Sequence, residues 1–403
     1  MQASLTKRGS KLIVRRGPTA EALFTLAKES GARSIYWNRR YEPAAIARDR
    51  ELERMLRERG IAAEICPGNL LFEPETILNT SGKPFQVFSA FWRACLAMPS
   101  PAEPKQAPAR LPAPIEWPPS LAISDLGLEP EVDWAGGMRE TWRPGESGAL
   151  EQMRAFLDGP IETYADKRDR PDHLGTSRLS PHLHFGEISP RQIWHEVAAE
   201  TYLRQIAWRE FSYHLVFHSP HTAQEPLRPE FRSFPWRVDA AGLKAWTRGK
   251  TGYPLVDAGM RELWHTGWMH NRVRMVAASF LVKHLMIPWQ EGAQWFWDTL
   301  VDADLANNTM GWQWTAGCGA DAAPYFRIFN PVIQGEKFDP DGAYVRRWVP
   351  ELARVPSKWI HSPWKEAGVE FGKDYPMPIV DHEFARKRAL AALASMRGQR
   401  SSA

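Results

Sequence analysis

Apolar residues along this chain follow two patterns. Before residue 98 they come in short runs separated by amphipathic stretches, and from residue 149 onward they fall at helical spacing. Leu12-Ile13-Val14, Ser34-Ile35-Tyr36-Trp37 and Ala62–Ile65 read as short strands. Between them a helical pattern begins at Thr19 and ends near Gly31. A second helix, Glu42–Arg59, turns Leu52, Met55 and Leu56 inward and stops at Gly60. Strands alternating with helices predict a parallel sheet, so residues 1–98 read as a partial, Rossmann-like α/β domain. Residues 99–148 read as an interdomain linker, in part polyproline II. It is rich in proline (Pro99, Pro101, Pro104, Pro108, Pro112, Pro114, Pro118, Pro119), and Trp117 could pin it to a domain. Residues 149–395 read as one large all-helical domain.

Composition narrows this modestly. A length of 403 residues suits two domains. A net charge of +4 permits a nucleic-acid partner without requiring one. Nineteen tryptophans suit an indole-packed helical core, with some left for base stacking or electron transfer. Cys66, Cys95 and Cys318 are widely spaced and form no disulfide or metal framework, which fits a reducing cytosol. No signal peptide is visible. The longest apolar run, Val276–Val282, is too short to span a bilayer and is stopped by Lys283 and His284. A soluble, cytoplasmic protein without membrane contact is expected.

Three tempting motifs are set aside. His214, His218 and His221 have metal-like helical spacing but no Cys or carboxylate partner motif, so no metal site is assigned. Gly249-Lys250-Thr251 resembles the end of a phosphate-binding loop, yet Lys244 stands where glycine is needed. No Gly-x-Gly-x-x-Gly occurs, and Ser189-Pro190 reads as a plain helix cap.

Four other stretches carry chemistry. Ser180-Pro181 is a helix start with Ser180 as N-cap, and Thr176, Ser177 and Arg178 before it could hold a diphosphate. Gly267-Trp268-Met269-His270-Asn271-Arg272-Val273-Arg274-Met275 is helix-compatible, which would put Trp268, Arg272 and Met275 on one face. Asp302 and Asp304, if buried, demand a partner such as Arg274 or a ligand donor. In Tyr202–Phe211, Gln205 and Trp208 lie one helical turn apart.

Taken together, Trp-Met-His-Asn-Arg-x-Arg-Met, Asp302-Ala303-Asp304-Leu305-Ala306, Gly311-Trp312-Gln313-Trp314 and Asp321–Pro331 resemble the photolyase/cryptochrome flavoproteins, and most of all the class I cyclobutane pyrimidine dimer photolyases. The resemblance is dense over residues 149–390 and loose before residue 100. It implies a fold of an α/β domain followed by a large all-α FAD-binding domain. The implied function is light-dependent repair of cyclobutane dimers in UV-damaged DNA by a monomeric deoxyribodipyrimidine photo-lyase. The alternatives are a cryptochrome photoreceptor or a (6-4) photoproduct enzyme.

Matching motif positions assign FAD to Tyr164, Thr176, Ser177, Arg178, Leu179, Ser180, Trp268, Asn271, Arg274, Asp302, Asp304 and Asn308, with Asn308 at the flavin N5 and Arg274 paired to Asp302. Gln205, Trp208, Asn271, Met275 and Trp314 match the dimer pocket, and Arg168, Arg272, Arg327 and Lys337 match residues that hold the DNA backbone. Trp312, Trp289 and Trp236 match an electron relay.

There are departures from the family pattern. Gln205 stands where dimer photolyases carry Glu; (6-4) enzymes carry Gln there, but with His where this chain has Asn271 and Met275. Family members can hold a folate or deazaflavin antenna. In the loop Asn38-Arg39-Arg40-Tyr41-Glu42, Arg39 stands where a Glu would be wanted, so no antenna site is assigned. The family's opening strand and Arg-rich segment are not found, so Met1 is expected to fall inside the first domain, roughly seventy residues late.

Overall fold

The computed structural model describes residues 1–321, 327–365 and 372–400. Near the N-terminus, the helix Thr19–Ser30 ends at Gly31 in the left-handed conformation, a frequent helix stop. Strands Ser34–Asn38 and Ala62–Cys66 pair in parallel, in register from Ser34↔Ala62 to Asn38↔Cys66. Helix Pro43–Glu58 connects them, with Leu52 and Leu56 buried. The α/β prediction is met by this sheet, which has two strands among the described residues.

The third expected strand, at Leu12–Val14, does not form. Val14 instead bonds the linker: its N–H donates to Ser120 Oγ at 2.9 Å, and its carbonyl accepts from Leu121 N–H at 3.1 Å. The adjoining Pro118 and Pro119 have no N–H, so a ladder cannot continue there. The Pro-rich stretch lies against residues 8–16. Arg8 donates to the Pro108 carbonyl at 2.8 Å, and Leu111 N–H donates back to the Arg8 carbonyl at 2.8 Å. Trp117 remains 38% exposed.

The rest is helical. Helix Glu200–His218 is buried nearly all round, which marks it as a central element. Helix Phe88–Ala97 packs on it through Phe88, Phe91, Trp92 and Cys95, beside Phe211, Leu215 and Val216. A larger apolar core joins helices Pro254–Thr266, Asn271–Ser279, Trp289–Thr299 and Leu305–Ala316 with the C-terminal helix His382–Arg400. Each fully buried Leu, Val or Phe there contributes ~1.5–3 kcal/mol.

A buried polar network ties residues 69–73 to the central helix. Arg209 donates to the Asn69 carbonyl at 2.8 Å and to Asn69 Oδ1 at 2.7 Å. Glu210 Oε2 accepts from Leu71 N–H at 2.8 Å and Phe72 N–H at 3.3 Å. Burial pushes the Glu210 carboxyl up to about 7, outweighing Arg209 and the two backbone donors that favour its charged form. The Asn38–Glu42 loop is held from outside: Arg39 pairs with Glu73 at 2.6 Å and also with Glu75, and Tyr41 donates to Glu73 at 2.7 Å. His214 and His218 pin neighbouring chain, at Phe85 N–H (3.0 Å) and the Pro74 carbonyl (3.1 Å). Among the described residues no helix is long and apolar enough to cross a membrane.

Candidate cofactor and nucleic-acid site

Gly267 ends helix Pro254–Thr266 at φ 69°, and a Cβ there would meet the Val301 side chain at 2.5 Å. The next helix starts only at Asn271, with His270 as N-cap: its Nδ1 accepts from Arg272 N–H at 3.2 Å. The single helical face expected for Trp268, Arg272 and Met275 is therefore wrong. Trp268 lies in the connector, and only Arg272 and Met275 are helical.

That connector turns Trp268 inward, to 8% exposure. Its indole N–H donates to Ser180 Oγ at 3.3 Å. Ser180 thus serves Trp268; it does not cap its own helix Ser180–His184, contrary to expectation. The Arg178 guanidinium lies 4.7 Å from the Trp268 ring centre and 4.8 Å from that of Trp142. Arg178 holds a positive φ of 52°, unusual for a residue with a side chain. Burial lowers its pKa, opposed by Glu262. Arg274 donates to the Met269 carbonyl at 2.7 Å and to Asp302 Oδ2 at 2.8 Å, which makes the expected ion pair.

This cluster leaves buried polar atoms open. Asp302 Oδ1 and Arg178 Nε have no hydrogen-bond partner among the described residues. An orphaned carboxylate oxygen beside an indole and a guanidinium fits a flat ring bearing an N–H, as FAD does. Ser177, also assigned to FAD, is buried; its Oγ accepts from Tyr202 O–H at 2.8 Å and its carbonyl from Gln152 at 2.9 Å. Leu179 is buried, Thr176 half-buried, and Tyr164 packs edge-on against Phe156 (5.7 Å) and Tyr202 (5.2 Å).

Asp304 behaves differently from Asp302. It N-caps helix Leu305–Ala316: Oδ1 accepts from Asn307 N–H at 2.8 Å and from the Asn307 side-chain amide at 2.7 Å. Its Oδ2 accepts from Tyr213 O–H. Asn308 donates its amide to the Ala293 carbonyl at 2.9 Å. Trp312, Trp289 and Trp236 all join the larger apolar core, Trp236 from its partly buried margin. Trp312 packs edge-on with Phe296 (5.0 Å) and Trp246 (6.1 Å), and any Cβ at Gly292 would clash with its ring at 2.1 Å.

The rim is more open. Trp208 and Trp314 are half-buried, and Asn271 is exposed with its amide 3.9 Å from Met275 Sδ. Arg168 donates to Gln205 Oε1 at 3.3 Å, and Gln205 Nε2 bonds the Thr201 carbonyl at 3.3 Å. Trp208 stacks plane to plane on Phe88, with centroids 3.8 Å apart and planes 7° apart.

The basic residues divide. Arg272 pairs with Asp169 at 2.9 Å and lies 4.4 Å over the Phe338 ring, which Lys337 also approaches at 5.2 Å. These residues and Arg168, which precedes Asp169, share one patch. Arg327 is exposed, lies 5.9 Å from the Phe329 ring and offers its carbonyl to Lys283. Residues 322–326 of the Asp321–Pro331 motif lie outside the described residues.

Sequence reasoning missed Phe88, Trp142, Tyr213 and Glu262. Phe88 opens an apolar stripe with Phe91, Trp92 and Cys95 that marks a buried helix face and no function, and Trp142 and Tyr213 stand in no motif. Glu262 accepts from Tyr344 O–H at 2.6 Å and His270 N–H at 3.3 Å on a helix that also buries Asp257, and acids at the buried positions of that helix were the available clue.

Residues 202–395 match the family model for the FAD binding domain of DNA photolyase, and residues 1–112 match that for DNA photolyase. A deoxyribodipyrimidine photo-lyase of Agrobacterium fabrum is 48% identical over 98% of this chain and 87% of its own. Cryptochrome-1 of Arabidopsis thaliana is 40% identical over 98% of this chain and 62% of its own. The crystal structure of a class III photolyase from Agrobacterium tumefaciens superposes with a TM-score of 0.95 at 48% identity, covering 98% of this chain and 86% of that one.

Proposed function

The chain belongs to the family of DNA photolyases and cryptochromes, and from that premise we propose that it repairs cyclobutane pyrimidine dimers in UV-damaged DNA under blue light. FAD, when bound, supplies the light-driven electron that opens the cyclobutane ring. Trp268, Arg178, Arg274 and Asp302 hold and orient the ring system in this reading, and Tyr164 with Thr176–Ser180 receive the rest of the cofactor. The carrying observation is the buried, unpartnered Asp302 oxygen beside Trp268 and Arg274. A fold that buries an open acceptor calls for a donor-bearing ligand to fill it.

Trp208 and Trp314 wall the pocket for an extruded dimer, and Asn271 and Met275 line it; photolyases are among the enzymes known to flip bases. His270 is turned inward as a helix cap, and burial lowers its pKa to about 4. No histidine stands at Asn271 or Met275. That arrangement favours the cyclobutane dimer over the (6-4) product, which calls for proton transfer. Arg168, Arg272, Arg327 and Lys337 position the duplex through its phosphates without reading sequence. Trp312, Trp289 and Trp236 carry electrons between the apolar core and the surface. The motifs suggested class I, while a class III photolyase is 48% identical. The proposal therefore names family and lesion and leaves the class unassigned.

The 40% identity to Arabidopsis Cryptochrome-1 supports one second reading, photoreception. Anaerobic illumination of a thymine-dimer oligonucleotide, beside a dark control and a (6-4) oligonucleotide, separates the two. Light-dependent loss of the thymine dimer alone is expected. Bound flavin with neither lesion repaired would replace repair by photoreception.

A further inference from the structure

Trp208 reaches the rim from helix Glu200–His218, but it is not held by that helix alone. Phe88 comes from a helix more than a hundred residues earlier and covers one indole face at 3.8 Å and 7°. Phe88 is itself fixed. Its ring is 2% exposed, meets Phe211 edge-on at 5.9 Å and carries the Arg204 guanidinium at 5.4 Å. The apolar cluster around it joins helices Phe88–Ala97, Glu200–His218 and Leu305–Ala316 through Phe211, Ala306 and Met310. Phe88 thus stands where the elements bearing both proposed walls meet.

We propose that Phe88 is a positioning residue for the lesion pocket: it closes one face of Trp208 and fixes the indole plane, so that the opposite face is offered to an extruded pyrimidine pair. This rests on the pocket reading above. Stacking energy falls quickly once an aromatic wall can tilt, and a side chain with two χ angles tilts unless something backs it. Phe88 provides that backing without touching the DNA.

The test uses full-length, flavin-loaded protein and duplexes with and without one thymine dimer. Phe88→Leu should weaken binding of the dimer duplex by roughly fivefold or more, because base–aromatic stacking is worth about 1–3 kcal/mol. Affinity for the undamaged duplex and flavin content should stay unchanged. Phe88→Tyr, which keeps the flat ring, should restore the parent value. In a Trp208→Ala background, Phe88→Leu should cost nothing further, since the two act as one unit. Equal weakening toward both duplexes, or full additivity in the double variant, would overturn the proposal and leave Phe88 a packing residue. A Phe88→Leu protein that lost its flavin would overturn it too. If Trp208→Ala alone binds the dimer as tightly as the parent, the pocket reading itself fails. If Trp208→Ala loses the dimer and Phe88→Leu does not, only the role of Phe88 fails.

Discussion

Two buried polar clusters lie close together in this protein and are finished differently. In the first, Asn69, Arg209, Glu210, Tyr213, Asp304 and Asn307 bond one another and the backbone. In the second, Trp268 and Asp302 are buried and Arg178 and Arg274 half-buried, yet Asp302 Oδ1 and Arg178 Nε find no partner among the described residues. Burying a polar atom without a partner costs about 1–3 kcal/mol, so a fold tolerates it where something else arrives to complete it. The closed cluster is architecture, joining residues 69–73 to two helices. The open one is, in the reading proposed above, where the flavin ring would sit. Two aspartates only two residues apart, Asp302 and Asp304, fall on opposite sides of that line.

The sharpest way to break this contrast is Arg209→Met. Removing one partner of a buried pair costs about 3–5 kcal/mol. The loss should be greatest at pH 8, where Glu210 is left charged, and smaller at pH 5, where it takes up a proton; urea unfolding at both values decides. Next comes the parent protein's own pH dependence. The Glu210 carboxyl is raised from 4.5 to about 7 on folding. A raised acid favours the folded state below its unfolded pKa, and that contribution disappears as pH climbs through the folded value. Over this window the contribution of Glu210 alone should fall by about 3 kcal/mol at most, at ~1.4 kcal/mol per pH unit. His214 and His270, each lowered to about 4 by burial, pull the other way over the same window, so the test is a difference: the advantage of the parent over Glu210→Gln should shrink as pH climbs, and a constant difference would locate the effect elsewhere.

The open cluster should respond in another quantity. Asp302→Asn should weaken flavin binding by about 1.5–3 kcal/mol, the worth of a hydrogen bond to a charged group, while melting of the flavin-free protein shifts far less than in Arg209→Met. Equal damage to both would make Asp302 architectural. The smallest effect belongs to the rim. Gln205→Glu places a carboxylate against Arg168, and a partly exposed pair of this kind is worth ~0.2–1 kcal/mol. If Arg168 holds a phosphate, the slope of log affinity against log salt should fall by about one. An unchanged slope would remove Arg168 from the DNA face.

Much of this was legible beforehand, for reasons that particular residues make plain. Gly31 and Gly60 mark helix ends because left-handed backbone suits glycine. The residues alone left either acid to Arg274 or to a ligand, and the family resemblance singled out the Arg274–Asp302 pair that forms. The Leu12–Val14 strand failed because three apolar residues cannot tell a ladder from an extended stretch lying on a proline-rich neighbour. Trp268 was misplaced because Gly267 was read as helix-compatible when it is a stop. Phe88 was legible only as core, from its spacing with Phe91, Trp92 and Cys95; its stacking on Trp208, more than a hundred residues away, leaves no local signal.

Arg178 has a consequence beyond catalysis. Its left-handed backbone and its half-satisfied guanidinium both work against the folded state of the flavin-free chain, the backbone alone by ~1–2 kcal/mol. Glycine there would relieve both at once. A directed-evolution campaign that scored only heat resistance would therefore be drawn to this codon early and would reward the erasure of the proposed flavin site. Any library meant to harden this protein needs the cofactor present during selection, or position 178 locked.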